Sequence, residues 1–221
     1  VIHVRMGNGR NIMPGFGKPE GAVPADFDYE MWVGPAPMRP YQPHRGLYHF
    51  RWFWDFSGGQ MTNLGAHEID ILQWFLNVPG PTAVTSAGGR FALQDDGETP
   101  DTQDALFEYP GFTASWSQRE AGAGRRLTGA EFIGTKGTLV ISRAGYEVIP
   151  DMKTPPDNAV PVFKGHPQGG PQREAVTPEP WIAPLKAPGS SDEQFNLHVR
   201  NFLDCIKSRQ RTVADVEDGH H

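Results

Sequence analysis

Cysteine is almost missing from this sequence, which has Cys205 alone among 221 residues. A single cysteine excludes an internal disulfide and a zinc site built from several cysteines. Basic charge is also scarce, because 20 Lys and Arg stand against 26 Asp and Glu and leave a net charge of −6. The composition therefore indicates neither nucleic acid nor an anionic membrane surface as a partner.

Long apolar runs are absent as well. No stretch approaches the length of about 18 residues that a membrane helix needs, and no N-terminal signal peptide is recognisable. The chain has no initiator Met: it opens on VIHVRM, which alternates like a strand, and closes on EDGHH soon after a predicted helix. We therefore expect residues 1–221 to be one domain of a longer protein.

Glycine and proline are abundant, with 26 and 21 residues. Prolines concentrate in residues 14–45 and 151–188, which predicts two long ordered loops. Between these loops the pattern predicts five strands, at residues 83–88, 104–109, 112–119, 128–133 and 137–142. In EYPGF, Pro110 presets the first turn position and Gly111 supplies positive φ, so this segment is predicted to be a hairpin. Hairpin connections favour a mainly antiparallel sheet.

Two helices complete the predicted α+β architecture. The first covers residues 63–75 and has Thr62 or Asn63 as its N-cap; Leu64, Ile71, Trp74 and Phe75 form its predicted apolar stripe. The second begins with a capping box of Ser191 and Gln194, and Phe195, Val199, Phe202 and Ile206 form its stripe. We expect an open sheet with helices packed on one face.

The segment WFWDFSGGQMTNLGAHEIDILQWF, residues 52–75, carries the candidate site. Its Ser-Gly-Gly turn can bring backbone close to a ligand. Asn63 and His67 are four residues apart on one predicted helix face, and Asp70 lies on that face or beside it. Near a helix N-terminus the dipole favours a neutral imidazole, which is the form of a general base.

Other interpretations of these residues stay open. A lone histidine on a helix is more often a core or surface residue than a catalyst. His67, Glu68 and Asp70 could ligate a metal, although only His67 and Asp70 share a face and no second histidine lies at helical spacing. The segment GFGKPEG begins like a dinucleotide fingerprint, but Pro19 interrupts it and its third glycine is missing.

The quoted block, together with EFIGTKGTLVISR and HVRNFLDCIKSRQRTVADVEDGH, resembles the C-terminal domain of the Gfo/Idh/MocA oxidoreductases. This resemblance covers nearly the whole chain. It implies an open sheet like that of the C-terminal domain of glyceraldehyde-3-phosphate dehydrogenase. It also implies an N-terminal Rossmann domain in the parent protein that binds NAD or NADP, and a sugar or cyclitol substrate held between the two domains.

The resemblance also implies roles for individual residues. His67 would exchange the hydroxyl proton, aided by Asn63 at a position where the family often has Asp; an amide can hold a hydroxyl but cannot accept its proton. Gly59 and Gln60 would contact the cofactor. The substrate-binding set would be Arg51, Trp54, Asp55, Asp70, Gln118 and Arg119, with Trp54 stacking on the sugar ring and the others bonding hydroxyls.

Three functions follow as hypotheses. The parent protein is expected to be a bacterial NAD(P)-dependent sugar or polyol dehydrogenase, of which this piece alone is inactive. The alternatives are a glycosidase or lyase that retains its NAD, and a carbohydrate-binding or scaffolding module without chemistry. The family resemblance also implies a homo-oligomer formed through the sheet face. It allows a cytoplasmic or a periplasmic location.

Overall fold

The computed structural model of the chain describes residues 1–8, 20–122, 128–153, 179–217 and 219. Its strands are β1 His3–Asn8, β2 Ala83–Gly89, β3 Thr102–Tyr109, β4 Phe112–Arg119, β5 Thr128–Ile133, β6 Gly137–Ser142, β7 Gly145–Pro150 and β8 Leu185–Pro188. They form one sheet in the order β2-β3-β4-β1-β5-β6-β7-β8. The five strands predicted from sequence are all present, whereas β7 and β8 were not predicted.

The sheet is mainly antiparallel. Among the strands listed above, β1 and β4 pair in parallel, and every other neighbouring pair is antiparallel. The β3–β4 hairpin turns at Pro110 and Gly111, and Gly111 has the predicted positive φ of 91°. On either side of the turn, the rings of Tyr109 and Phe112 stack with centroids 4.6 Å apart. The predicted α+β class is confirmed.

The helical elements are α1 Tyr29–Val33, a 3₁₀ helix Leu47–Trp52, a π-helical turn Met61–Gly65, α2 Ala66–Leu76 and α3 Ser191–Ser208. The expectation of an N-cap at Thr62 or Asn63 is wrong, because the backbone is already helical at Gln60 and Asn63 donates its N–H to the Gly59 carbonyl. Thr62 Oγ1 instead accepts the Gly58 N–H at 3.0 Å. The predicted helix thus begins earlier, with a wider turn.

Helix α2 packs on one face of the sheet. The buried core on this face comprises Val4, Met6, Leu72, Ala105, Phe107, Tyr109, Ala114, Trp116, Ala130 and Phe132. Leu72 is the residue that α2 buries completely. The predicted stripe is wrong at Trp74, which is 72% exposed, and at Phe75, which is half exposed although its ring contacts Phe132. The π-helical turn precedes α2 and changes the phase of the helix.

The N-cap of helix α3 lies one residue earlier than predicted. Ser190, not Ser191, is the N-cap, and its hydroxyl accepts the Glu193 N–H at 3.3 Å. The predicted apolar stripe is present in the sequence but is not buried within the described chain. Its members Phe195, Val199, Phe202 and Ile206 are 45–63% exposed. Amphipathic spacing predicted the helix correctly but not what would cover its apolar side.

Part of the first proline-rich loop lies within the described residues, where it is ordered around rings. Phe27, Tyr29, Trp32 and Tyr41 contact one another with centroids 5.3–6.1 Å apart. Residues 14–19 of this loop and 154–178 of the second lie outside the described residues. No helix in the described chain is both long and apolar enough to span a membrane.

Candidate functional site

The Gly-Gly turn lies just before the π-helical turn, and its Gly59 packs closely against Thr99. Gly59 has φ of +71°, and its N–H donates to the Arg51 carbonyl at 2.8 Å. A Cβ at this position would lie 2.6 Å from Thr99 Oγ1, which is closer than a real contact permits. Glycine is therefore required by the backbone conformation and by the neighbouring threonine. The space beside Gly59 is filled by protein.

A continuous chain of hydrogen bonds joins four polar side chains at this turn. Arg51 Nε donates to Asn63 Oδ1 at 3.1 Å, and Asn63 Nδ2 donates to Gln60 Oε1 at 3.2 Å. Gln60 Nε2 donates to Glu120 Oε1 at 2.7 Å. Three residues predicted from the sequence, Arg51, Asn63 and Gln60, are thus joined by hydrogen bonds. Gln60 and Glu120 are buried, 0% and 1% exposed.

Glu120 is the last residue in this series of hydrogen bonds, and it is buried. Its Oε1 also accepts the Trp52 indole N–H at 2.8 Å. Burial raises the pKa of Glu120, although the hydrogen bonds from Trp52 and Gln60 act in the opposite direction. The sequence analysis missed this residue. A glutamate after a strand is an ordinary surface feature in sequence, and its partners lie about 60 residues away along the chain.

His67 lies in the first turn of α2, directly after the π-helical turn that holds Asn63. Its side chain is exposed, as are those of Asp70 and Trp74. Helical spacing places these three on one side of α2. The predicted proton-exchanging histidine is thus accessible to a ligand, and it is next along the helical segment to the buried network.

Trp54 and Asp55 follow soon after the 3₁₀ helix that carries Arg51. Trp54 is 58% exposed, and its backbone N–H donates to Glu98 Oε2 at 2.9 Å. Asp55 pairs with Arg39, whose Nε lies 2.7 Å from Asp55 Oδ2, and Arg39 also donates to Glu98 at 2.9 Å. The predicted carboxylate at Asp55 is therefore held by an ion pair. Arg39 and Glu98, which bond to Asp55 and Trp54, were not predicted from the sequence.

Gln118 and Arg119 project to opposite faces of β4. Gln118 faces the core at 0% exposure, and its Nε2 donates to the Pro100 carbonyl at 2.7 Å. Arg119 lies on the other face, where it pairs with Asp104 at 2.6 Å. The structure does not bring Arg119 together with the helix-start residues. The predicted substrate contacts of both residues remain predictions.

Glu68 is the nearest carboxyl to His67 in sequence. Burial raises its pKa, and the charge of Arg143 partly offsets this effect. Among the described residues, no three His, Cys, Asp or Glu side chains are grouped so that they could hold a metal ion. The alternative of a metal on His67 and Asp70 gains no further ligand from the fold.

The predicted cofactor contacts at Gly59 and Gln60 do not match an open dinucleotide site. Both residues are buried, and Gln60 uses each end of its side-chain amide inside the domain. The described part of this chain therefore offers a nicotinamide no free group at these two positions, whose cofactor role remains a prediction. Asn63, His67 and the exposed ring of Trp54 are instead the kinds of group that a polyhydroxyl ligand requires.

One family model matches about a third of the chain. Residues 16–87, which include the whole helix-start region, match the Gfo/Idh/MocA model described as "Oxidoreductase family, C-terminal alpha/beta domain". This match confirms the resemblance seen in the sequence. No curated protein sequence matches the chain significantly.

Solved structures share the fold. A WlbA dehydrogenase from Bordetella pertussis, solved with NADH and UDP-GlcNAcA, is 16% identical with a TM-score of 0.50; the match covers 99% of this chain and 48% of that one. A putative NADPH-dependent oxidoreductase from Desulfitobacterium hafniense is 16% identical with a TM-score of 0.54, covering 99% and 50%. GenD2 from gentamicin A biosynthesis, solved with NAD, is 19% identical with a TM-score of 0.51, covering 99% and 49%. The chain spans about half the length of these relatives.

Proposed function

We propose, from the premise that this chain is the C-terminal domain of a Gfo/Idh/MocA oxidoreductase, that it is the carbohydrate-binding part of an NAD(P)-dependent sugar or polyol dehydrogenase. The observation that supports this proposal most is the arrangement at the helix start. There, an exposed histidine follows directly on a buried network that fixes Asn63 and Arg51. Such a surface can both bind a hydroxyl and exchange its proton.

The proposed roles follow from exposure and bonding. His67 accepts the proton of the substrate hydroxyl at a ring nitrogen, because it is the exposed titratable group in the first turn of α2. Asn63 orients that hydroxyl, and Arg51 holds the amide of Asn63. Trp54 provides an exposed aromatic face for the sugar ring. The hydride is assigned to no residue of this chain, since a bound NAD or NADP would accept it from the carbon that carries the hydroxyl.

The proposal also includes a cofactor domain outside these residues. The chain covers about half of each compared structure, and two of those structures contain NAD or NADH. We propose that a Rossmann domain of the longer protein binds the dinucleotide and that the substrate lies between the two domains. Association of copies through the open sheet face belongs to the same proposal.

The test uses the longer reading frame that contains these 221 residues. The purified protein is supplied with NAD or NADP and with myo-inositol, glucose or UDP-N-acetylglucosamine, and formation of reduced nicotinamide is followed. We expect turnover with at least one of these probes, and we expect His67→Ala to lower kcat by about 10²- to 10⁴-fold, the usual contribution of a general base. His3→Ala is the control, because His3 is a half-buried histidine of β1 that bonds Thr113 and Ser115 and has no proposed role.

Two results would count against this function. Turnover that is equal in His67→Ala and His3→Ala would remove the proton-transfer role. Conversion of a sugar without any net reduced nicotinamide would instead favour the glycosidase or lyase alternative, in which the cofactor is oxidised and reduced within one cycle.

A further inference from the structure

Two hydrogen-bond donors converge on one oxygen of Glu120. The Trp52 indole N–H and the Gln60 amide reach the same atom, Oε1, at 2.8 and 2.7 Å. Because Trp52 and Gln60 both donate to it, Oε1 acts as an acceptor toward both neighbours. Glu120 is 1% exposed, which excludes solvent as a competing partner.

The acceptor oxygen of Glu120 determines the orientation of the Gln60 side-chain amide and, through it, that of the Asn63 amide. Because a side-chain amide has a donor end and an acceptor end, Gln60 must direct Nε2 toward Glu120 and therefore Oε1 toward Asn63. Asn63 must in turn direct Nδ2 toward Gln60, which places its Oδ1 beside the Arg51 guanidinium. In this series of hydrogen bonds, each residue donates to the next one toward Glu120.

We infer that Glu120 is a positioning residue for the carbohydrate site, acting through Gln60 to set which end of the Asn63 amide a substrate hydroxyl meets. This inference rests on the proposed function and deepens it. Asn63 retains one N–H and one lone pair beyond those used in the network. Their directions are fixed by the orientation of the amide, so the pattern of hydroxyls that can bind depends on a residue that does not contact the substrate.

Glu120 also connects the two backbone segments of the site. Through Trp52 it holds the end of the 3₁₀ helix, adjacent to Arg51, and through Gln60 it holds the start of the π-helical turn. The Trp52 carbonyl further accepts the Glu98 N–H at 2.8 Å. Arg51 and Asn63 therefore come from two segments that Glu120 joins, in addition to the backbone bond from Gly59 to Arg51.

The first test measures the network itself in the 221-residue chain. Hydrogen exchange of the Trp52 indole proton and the side-chain amide resonances of Asn63 are recorded by NMR. In Glu120→Leu we expect exchange at Trp52 to become about tenfold faster, as the loss of a hydrogen bond of about 1.4 kcal/mol implies, and the Asn63 amide resonances to move. In Glu120→Gln the amide oxygen can accept both donors, so both signals should stay close to those of the unchanged chain.

Leu72→Ala controls for general loss of stability, because Leu72 is buried in the core and belongs to no part of the network. If Leu72→Ala and Glu120→Leu move the Asn63 resonances equally, the positioning role is wrong. The same holds if Glu120→Leu leaves them unchanged. Should Glu120→Leu fail to fold, Glu120→Gln and Gln60→Leu supply the comparison: the first is expected to keep the Asn63 resonances and the second to shift them.

The second test uses the longer enzyme and a pair of probes that differ by one hydroxyl, such as glucose and a deoxyglucose. We expect Glu120→Leu to reduce the ratio of kcat/KM for glucose to kcat/KM for the deoxyglucose. We expect Glu120→Gln to keep this ratio close to that of the unchanged enzyme. An unchanged ratio in Glu120→Leu would overturn the inference. If the enzyme turns over no sugar at all, the proposed function fails, while the NMR result still decides whether Glu120 orients Asn63.

Discussion

At the scale of single residues, the buried carboxylates determine how the domain responds to pH. Glu120 faces Arg90, whose charge lowers its pKa, and Asp101, whose charge raises it; burial is the largest influence and raises the pKa above the ordinary value of 4.5. The folded state therefore binds a proton more tightly than the unfolded state does. Its stability consequently falls as pH rises from about 4.5 through the folded pKa.

Glu120→Gln removes this titration. We expect the stability of the variant relative to the unchanged chain to increase as pH rises from 4.5 through the folded pKa of Glu120. Denaturant unfolding at a series of pH values measures this difference. A difference in stability that is constant across the series would show that Glu120 has the same pKa in the folded and unfolded states.

Asp101 behaves in the opposite way. It is fully buried, and burial by itself would raise its pKa, but three backbone N–H groups, of Phe91, Ala92 and Leu93, donate to its carboxylate at 2.7–3.1 Å and lower the pKa below 3.8. The carboxylate thus contributes stability above pH 3.8 that is lost as pH falls through the folded pKa.

Asp101→Asn should lower the free energy of unfolding at neutral pH by about 2 kcal/mol or more, because an amide cannot accept all three bonds without turning a donor toward one of them. Asp104→Asn is the matched control, since Asp104 is exposed and pairs with Arg119 at the surface, where the expected cost is below about 1 kcal/mol. Urea unfolding of the two variants gives the comparison. Equal losses would mean that the backbone bonds to Asp101 add nothing.

At the scale of elements, the sequence predicts strands better than helix starts. Strand β4, residues 112–119, has its predicted bounds because Pro110 and Gly111 fix the turn locally. The start of α2 has no such local signal. Its π-helical turn depends on the contact of Gly59 with Thr99, a residue 40 positions away, and no spacing rule contains that contact.

The same limit applies to the site. Periodicity brought Asn63 and His67 to one helix, and the resemblance added Arg51. The acceptor that orients the Asn63 amide is Glu120, which is contributed by the far end of β4. A residue that acts across the fold leaves no pattern within its own segment. The structure was needed to find it.

The Gly59 contact leads to a prediction about the turn. We expect Gly59→Ala to destabilise the domain by about 2 kcal/mol or more, from the positive φ together with the overlap against Thr99. Gly111→Ala has positive φ but open space around its Cβ, so its cost should be smaller, about 1 kcal/mol. Adding Thr99→Ala to Gly59→Ala should recover part of the loss. No recovery would place the cost in the backbone conformation and in the overlap with the Cβ of residue 99, which alanine retains.

At the scale of the whole molecule, the described residues form a buried core on one face of the sheet, whereas the apolar side of α3 is exposed. Phe132 is 2% exposed in the core, whereas Phe202 on α3 is 57% exposed. The compared structures are about twice as long as this chain. Within the proposed function, the exposed side of α3 is a surface that the cofactor domain of the longer protein would cover.

Replacing Phe202 therefore has an effect that depends on chain length. In the 221-residue chain we expect Phe202→Gln to change the free energy of unfolding by less than about 0.5 kcal/mol, while Phe132→Ala costs about 3–5 kcal/mol. In the longer protein the same Phe202→Gln should cost about 1.5–3 kcal/mol, the value of burying such a ring. Calorimetric unfolding of both lengths tests this. Equal, small effects in the two would mean that α3 stays uncovered and that the cofactor domain packs elsewhere.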